Sequence, residues 1–162
     1  MEIEEAYAEA STTRKHGGSV AGRRYIERDH FAFNKILMKD YFDENPTYGP
    51  EVFRRRFRMR RSLFLSILEG IQQHDKYFTF RESAAKAQGL TGYQKMTAAM
   101  RMLAYGSPAD AQDETLRIAE STGLETLKRF CQAIVDVYGS EYLRSPNEAD
   151  VTRLLEMHES KG

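Results

Sequence analysis

The 162 residues carry 24 Lys and Arg against 24 Asp and Glu, are 41% hydrophobic and 30% charged, and include a single cysteine. That length and apolar content support one sizeable helical core rather than two comfortable domains. The cancelled charge means that no whole-molecule field draws the chain to nucleic acid, so only a local patch can do so. Cys131 alone excludes an internal disulfide, and the scattered His16, His30, His74 and His158 give no zinc-ligand spacing. Cys131 is expected to be a small buried hydrophobe on a helix. No stretch approaches the about 18 apolar residues of a membrane span, and the acidic start MEIEEAYAEA lacks the basic character of a signal or transit peptide. A soluble, intracellular chain is therefore expected, with no membrane association.

In chain order, residues 1–22 combine acidic and small polar residues with the loop-forming run His16-Gly17-Gly18-Ser19, too few apolar groups to offset the entropy of ordering. They are expected to be a disordered tail, followed by one helical domain over residues 23–162. Between Arg28 and Asp43, Phe31, Phe33, Ile36, Leu37, Tyr41 and Phe42 recur at helical spacing, and Asn45-Pro46 ends the segment. Pro50 opens a short helix with Val52, Phe53 and Phe57 inward and arginine on its other face. Ser62 is the expected N-cap of a stripe running through Leu63, Phe64, Ile67, Leu68 and Ile71 toward His74. Residues 77–90 show no period and are expected to be a long connection.

From Thr91 a capped helix carries Met96, Ala99, Met100, Leu103 and Ala104 and stops at Gly106. Ser107-Pro108 is expected to open the next helix, and Ser121 or Thr122 to cap a long one carrying Leu124, Leu127, Phe130, Cys131, Ile134, Val137 and Tyr138 before Gly139. A last helix follows from about Asn147 to Glu159. With no strand-like alternation and no repeats, the expected fold is all-α: a multi-helix bundle with a helix-turn-helix-like tri-helical unit over about residues 91–139.

In a helix-turn-helix the third helix is the one offered to the DNA major groove. On the corresponding helix only Arg129 and Gln132 combine a solvent-facing position with the chemistry for bidentate base reading. The surroundings oppose that use, since residues 107–126 contain Asp110, Asp113, Glu114, Glu120 and Glu125 against Arg117 alone, a balance of minus four. Positive charge gathers elsewhere. Arg54, Arg55, Arg56, Arg58, Arg60 and Arg61 face only Glu51, a balance of plus five in eleven residues. Guanidinium groups suit phosphate recognition; pairing with the acidic 107–126 surface or with a partner, a nuclear-import signal and a solvated face remain the alternatives.

Catalytic constellations are not found: no glycine-rich phosphate loop, no Gly-x-Ser-x-Gly, no histidine pair at metal spacing. Asp110, Asp113 and Glu114 have no fourth partner and read as acids favoured at a helix N-terminus. No catalytic residue, metal ligand, cofactor or small-molecule substrate is expected.

The segments GRRYIERDH from Gly22, DYFDENPTYGPEVFRRRFRMRRSLFLSIL from Asp40, YQKMTAAMRMLAYGSPADAQDETLRIAESTGLETLKRFCQAIVDVYG from Tyr93 and YLRSPNEADVTRLLEMHESKG from Tyr142 resemble the N-terminal region of plant PIF/Harbinger transposases and their domesticated relatives. The resemblance implies a nuclear protein, with a cytoplasmic address as the alternative. It also implies a helical region that in relatives precedes a ribonuclease H-type nuclease, whose Asp, Asp and Glu hold divalent metals. None of those motifs is present, so the resemblance carries over no catalytic residue; a metal-dependent nuclease is implied only where the native chain continues past Gly162. It further implies a Myb/SANT-like DNA-binding partner or a chromatin complex. The expectation for function is a DNA-associated or protein-docking module.

Overall fold

The computed structural model describes residues 26, 28–80 and 89–160. The expected tail over residues 1–22, and residues 81–88 of the expected connection, lie outside them. Seven helices and no strand occur among the described residues. They are α1 (His30–Leu37), α2 (Pro50–Phe57), α3 (Arg61–His74), α4 (Gly92–Tyr105), α5 (Ala111–Leu116), α6 (Glu120–Tyr142) and α7 (Glu148–Glu159).

Asp29 caps α1 by accepting from the Ala32 amide at 2.9 Å. The helix then widens into a π turn over Met38–Phe42, closed by the Asp43 amide on the Met38 carbonyl at 2.9 Å. Carbonyls at this helix end are taken up by the returning chain, Thr47 donating to Lys39 and Tyr48 to Asp40 at 3.1 and 3.0 Å. The loop is thereby pinned so that Tyr48 lies 5.2 Å from the buried Tyr41 ring.

Pro50 occupies the first turn of α2 as expected, and the i, i+4 pair Phe53 and Phe57 turns inward and stacks at 4.3 Å. Both rings meet Phe64 of α3 edge-on, at 5.8 and 5.2 Å. α4 runs through the middle of the molecule and packs against α1, α2, α3, α5 and α6. Its small buried residues Ala98 and Ala99 permit those close approaches, with Met96 and Met100 filling the spaces between.

The start of α4 is the best-fixed junction. Thr91 and Gln94 form a capping box. Thr91 Oγ1 also donates to Asn34 Oδ1 at 2.7 Å, and Gln94 Nε2 donates to the His30 carbonyl at 3.0 Å, so the cap ties α4 to α1. A 3-10 turn over Lys76–Phe78 buries Phe78 beside it, held by Gln72 Nε2 on the Phe78 carbonyl at 3.0 Å.

The structure moves several expected boundaries. α3 starts at Arg61, not behind a Ser62 cap, because left-handed Arg58 ends α2 abruptly and Arg60 already occupies the N-cap position. α5 starts at Ala111 rather than at Pro108; Ser107 accepts from Gln112 Nε2 at 3.1 Å instead of capping. α6 begins behind Ala119, not at a Ser121 or Thr122 cap, because burial of Ile118 fixes a short turn from Arg117. Gly139 does not stop it: the helix continues to Tyr142, a glycine inside a helix costing only about 1 kcal/mol. Cys131 is exposed, since Phe130 and Ala133 take the inward positions. Residues 77–90 are not wholly a connection, because buried Phe78 closes the 3-10 turn.

α7 has its own capping box, Asn147 with Asp150, and Arg144 beside Asp150 holds that carboxyl down to about 2. None of its residues is buried.

A Cβ at position 92 would stand 2.4 Å from the Phe78 carbonyl and 2.6 Å from Gln72 Nε2, whereas at Gly49 it would meet nothing. Gly92→Ala is expected to destabilise by about 1–3 kcal/mol, the usual cost of overpacking. Gly49→Ala, in ordinary extended backbone, is expected to be neutral or slightly stabilising. Urea unfolding of the two variants checks this, and equal midpoints would contradict the packing at Gly92.

Candidate nucleic-acid interface

With Phe53 and Phe57 committed to the core, the helical period of α2 places Arg54 and Arg55 in solvent and Arg56 at the boundary. Arg56 donates to the Tyr41 hydroxyl, and its Cζ lies 4.2 Å from the Tyr48 ring centroid. That hydrogen bond holds its guanidinium pKa above the ordinary arginine value. Arg61 turns back to the end of the π turn, Nη1 donating to the Tyr41 and Asp43 carbonyls at 3.4 and 3.3 Å. These two arginines are structural as well as charged.

The other four differ. Arg58 sits at φ 58°, a left-handed conformation that glycine adopts far more readily, with its guanidinium 5.8 Å from the Tyr105 ring. Arg60 is the extended residue before α3, a helix start with no side-chain cap. Among the described residues no ion pair joins Arg54, Arg55, Arg58 or Arg60 to a carboxylate. Arg54, Arg60, Arg61 and Ser62 line a shallow groove of about 350 Å³ with Pro50 and Glu51.

The helix-turn-helix outline is present as α4, α5 and α6, with Gly123 of α6 packed against Ala109. Its third helix buries Gly123, Thr126, Phe130 and Ala133, leaving Arg129 and Gln132 on the outer face as read from the sequence. Both are engaged there. Arg129 Nε meets Glu125 at 2.9 Å, Nη1 meets Asp75 at 3.2 Å, and its Cζ stands 4.7 Å over the Tyr77 ring. Gln132 Nε2 donates to Asp136 at 2.8 Å, and Asp136 also meets His74 at 3.2 Å. Burial pushes the Asp75 carboxyl up, but the Tyr77 amide and Arg129 outweigh it and hold it below the usual value. The hollow these residues line, about 680 Å³, contains Asp75, Glu125 and Asp136 against Lys128 and Arg129, so its field is not attractive to phosphate.

The acidic 107–126 stretch receives an arginine, but from outside the cluster: Asp113 pairs with Arg28, which lowers the Asp113 pKa. Among the described residues no ion pair links that stretch to Arg54, Arg55, Arg56, Arg58, Arg60 or Arg61. No group of three or more His, Cys, Asp or Glu among them could hold a metal ion. No helix among them is long and apolar enough to cross a membrane.

A feature not read from the sequence lies beside the arginine groove. Tyr41, Glu44, Pro46, Tyr48, Gly49, Pro50, Phe53 and Arg61 enclose a hollow of about 280 Å³. Its signal was the run Asn45-Pro46-Thr47-Tyr48-Gly49-Pro50, where two prolines hold an aromatic residue opposite the end of α1.

The profile of a family described as "Domain of unknown function (DUF8418)" matches residues 34–72. That segment holds the π turn, α2, most of α3, the six clustered arginines and the hollow. No curated protein and no solved structure gives a match.

The two kinds of arginine are separable by stability. Arg56→Ala, which loses Tyr41 and Tyr48, is expected to lower the thermal midpoint, and Arg54→Ala to leave it unchanged. Arg58→Gly is expected to raise it, since releasing a left-handed side chain returns about 1 kcal/mol. Thermal melts in one buffer check the order; a destabilised Arg58→Gly would show that the Tyr105 contact outweighs the backbone strain.

Proposed function

We propose that this chain is a DNA-associated module of a transposase-derived nuclear protein of the Harbinger kind, contacting phosphates through the α2–α3 corner. The observation that carries the reading is the set Arg54, Arg55, Arg58 and Arg60, four exposed guanidinium groups without a carboxylate ion-pair partner among the described residues, of which Arg54 and Arg60 line one groove. Unlike Arg129, they need break no ion pair to reach a phosphate; Arg58 would give up only its contact with the Tyr105 ring. The long segments that resemble Harbinger N-terminal regions support the nuclear and transposase-derived part of the reading. In it, the chain does no chemistry itself; divalent metal belongs to the nuclease domain of the relatives it resembles.

Contact through phosphates implies affinity with little sequence preference and steep salt dependence. Four contacts correspond to a log-log slope of about −3.6, an affinity loss of about 150-fold between 50 and 200 mM salt. Each of Arg54→Ala, Arg55→Ala, Arg58→Ala and Arg60→Ala is expected to reduce the slope by about 0.9, and Arg129→Ala to leave it unchanged. Fluorescence anisotropy with a random duplex at several salt concentrations measures this. Binding that is absent at low salt, or unaffected by the α2–α3 substitutions, would overturn the reading.

A second reading, docking to a Myb/SANT-like or chromatin partner, is favoured by α7. Val151, Leu154, Leu155 and Met157 are all about half exposed on a helix with no buried residue. Amphipathic helices of this kind commonly complete themselves in a partner's groove. Under this reading Leu154→Lys with Leu155→Lys abolishes capture of a purified Myb/SANT-like partner and leaves duplex binding intact. Undiminished capture would remove α7 from consideration.

A further inference from the structure

The hollow and the arginine groove share a wall. Pro50 and Arg61 line both, so a ligand spanning them meets an aromatic recess on one side and Arg54 and Arg60 on the other. Tyr41 and Phe53 form the recess with only 3% and 1% of their own surface exposed, and the side chains of Pro46, Tyr48 and Pro50 complete its apolar walls. At about 280 Å³ it is at the small end for ligand pockets, which begin near about 300 Å³. That size suits one planar ring system, not an extended ligand.

The polar groups are few and chemically distinct. Glu44 offers an exposed carboxylate, an acceptor for an amino group. Arg61 uses Nη1 on the Tyr41 and Asp43 carbonyls, and its Nε and Nη2 make no hydrogen bond to a described residue. A flat apolar body, an amino edge and an adjoining anion are the parts of a single nucleotide. Aromatic recesses beside arginine grooves hold nucleotides by stacking the base and neutralising the phosphate.

We propose that this recess takes one unpaired base, while the groove holds its flanking phosphate. This inference rests on the phosphate-contacting reading of the α2–α3 corner and adds the form of nucleic acid preferred. A base inside an intact duplex is covered above and below by its neighbours and cannot enter. The recess therefore selects a bulge, a frayed end or a single strand over paired duplex. The Glu44 carboxylate further selects a base with an exocyclic amino group, cytosine over thymine.

The test uses the full chain and four fluorescent probes at one salt concentration: a paired duplex, the same duplex with one bulged cytosine, the same with one bulged thymine, and a phosphate-free acidic peptide containing tyrosine. The bulged cytosine duplex is expected to bind about tenfold more tightly than the paired one, within the range of one base stacked on an aromatic side chain. Bulged thymine is expected to fall between them, and the peptide to bind more weakly than any duplex. Tyr48→Ala is expected to erase the bulge preference. Glu44 is exposed, so Glu44→Ala keeps the fold; it is expected to equalise the cytosine and thymine bulges.

Salt-sensitive binding of paired duplex with no gain from either bulge overturns this inference and leaves the phosphate-contacting reading standing. No binding of any duplex overturns both. Peptide binding tighter than duplex binding assigns the recess to a protein ligand and overturns it as well.

Discussion

Five rings from the π turn, α2 and α3, those of Tyr41, Phe42, Phe53, Phe57 and Phe64, stand with neighbouring centroids between 4.3 and 6.4 Å. Edge-on and offset contacts of this kind add about 0.5–1.5 kcal/mol per pair beyond the burial of the rings. That attraction has to oppose the mutual repulsion of six arginines spread over the eight residues 54–61 of the same short segment. It succeeds because phenylalanine and arginine alternate on α2 at a spacing that separates them by face. The inward rings hold the helix, and the outward charges are left for whatever approaches from solvent. Tyr93 of α4 reaches the cluster through Phe42, at 4.8 Å, so the same rings join the corner to the central helix.

The helical periods were legible because apolar residues at three- and four-residue spacing leave few alternatives. Phe53 and Phe57, Phe64 and Leu68, and Met96 and Met100 mark buried faces, and all six are buried. Boundaries were less legible, for a physical reason that recurs. Ser62, Ser107, Ser121 and Thr122 are good caps in isolation, but burial of neighbouring residues such as Ile118 decided where the chain enters each helix. Left-handed Arg58 and Arg117 could not be foreseen, since arginine has no preference for that conformation and each is fixed by the packing around it.

The arginine cluster was plain in the sequence, but its division into roles was not. That Arg56 and Arg61 brace the end of the π turn while Arg54, Arg55, Arg58 and Arg60 make no ion pair depends on contacts between residues 15 to 20 apart in the chain. The same holds for α6. Arg129 and Gln132 have the right side chains on the right face, yet Arg129 is tied to Asp75, 54 residues earlier, and Gln132 to Asp136, which His74 also meets. A helix-turn-helix outline specifies where a reading helix would lie. It does not specify the charges there: Glu125 and Asp136 lie on α6 itself, and Asp75 is added from a segment outside the outline.

α7 follows α6 after only Leu143–Asn147, and its apolar side chains are turned to solvent. If, as proposed, the arginine corner is held on nucleic acid, any contact made by α7 becomes intramolecular within the assembly. A short tether sets an effective concentration in the millimolar range, so a weak second contact can be worth a factor of about 10² to 10⁴ in avidity. On that reading the five-residue link would limit how far apart two ligands could lie and still be held together. Lengthening it would dilute that advantage without altering either surface.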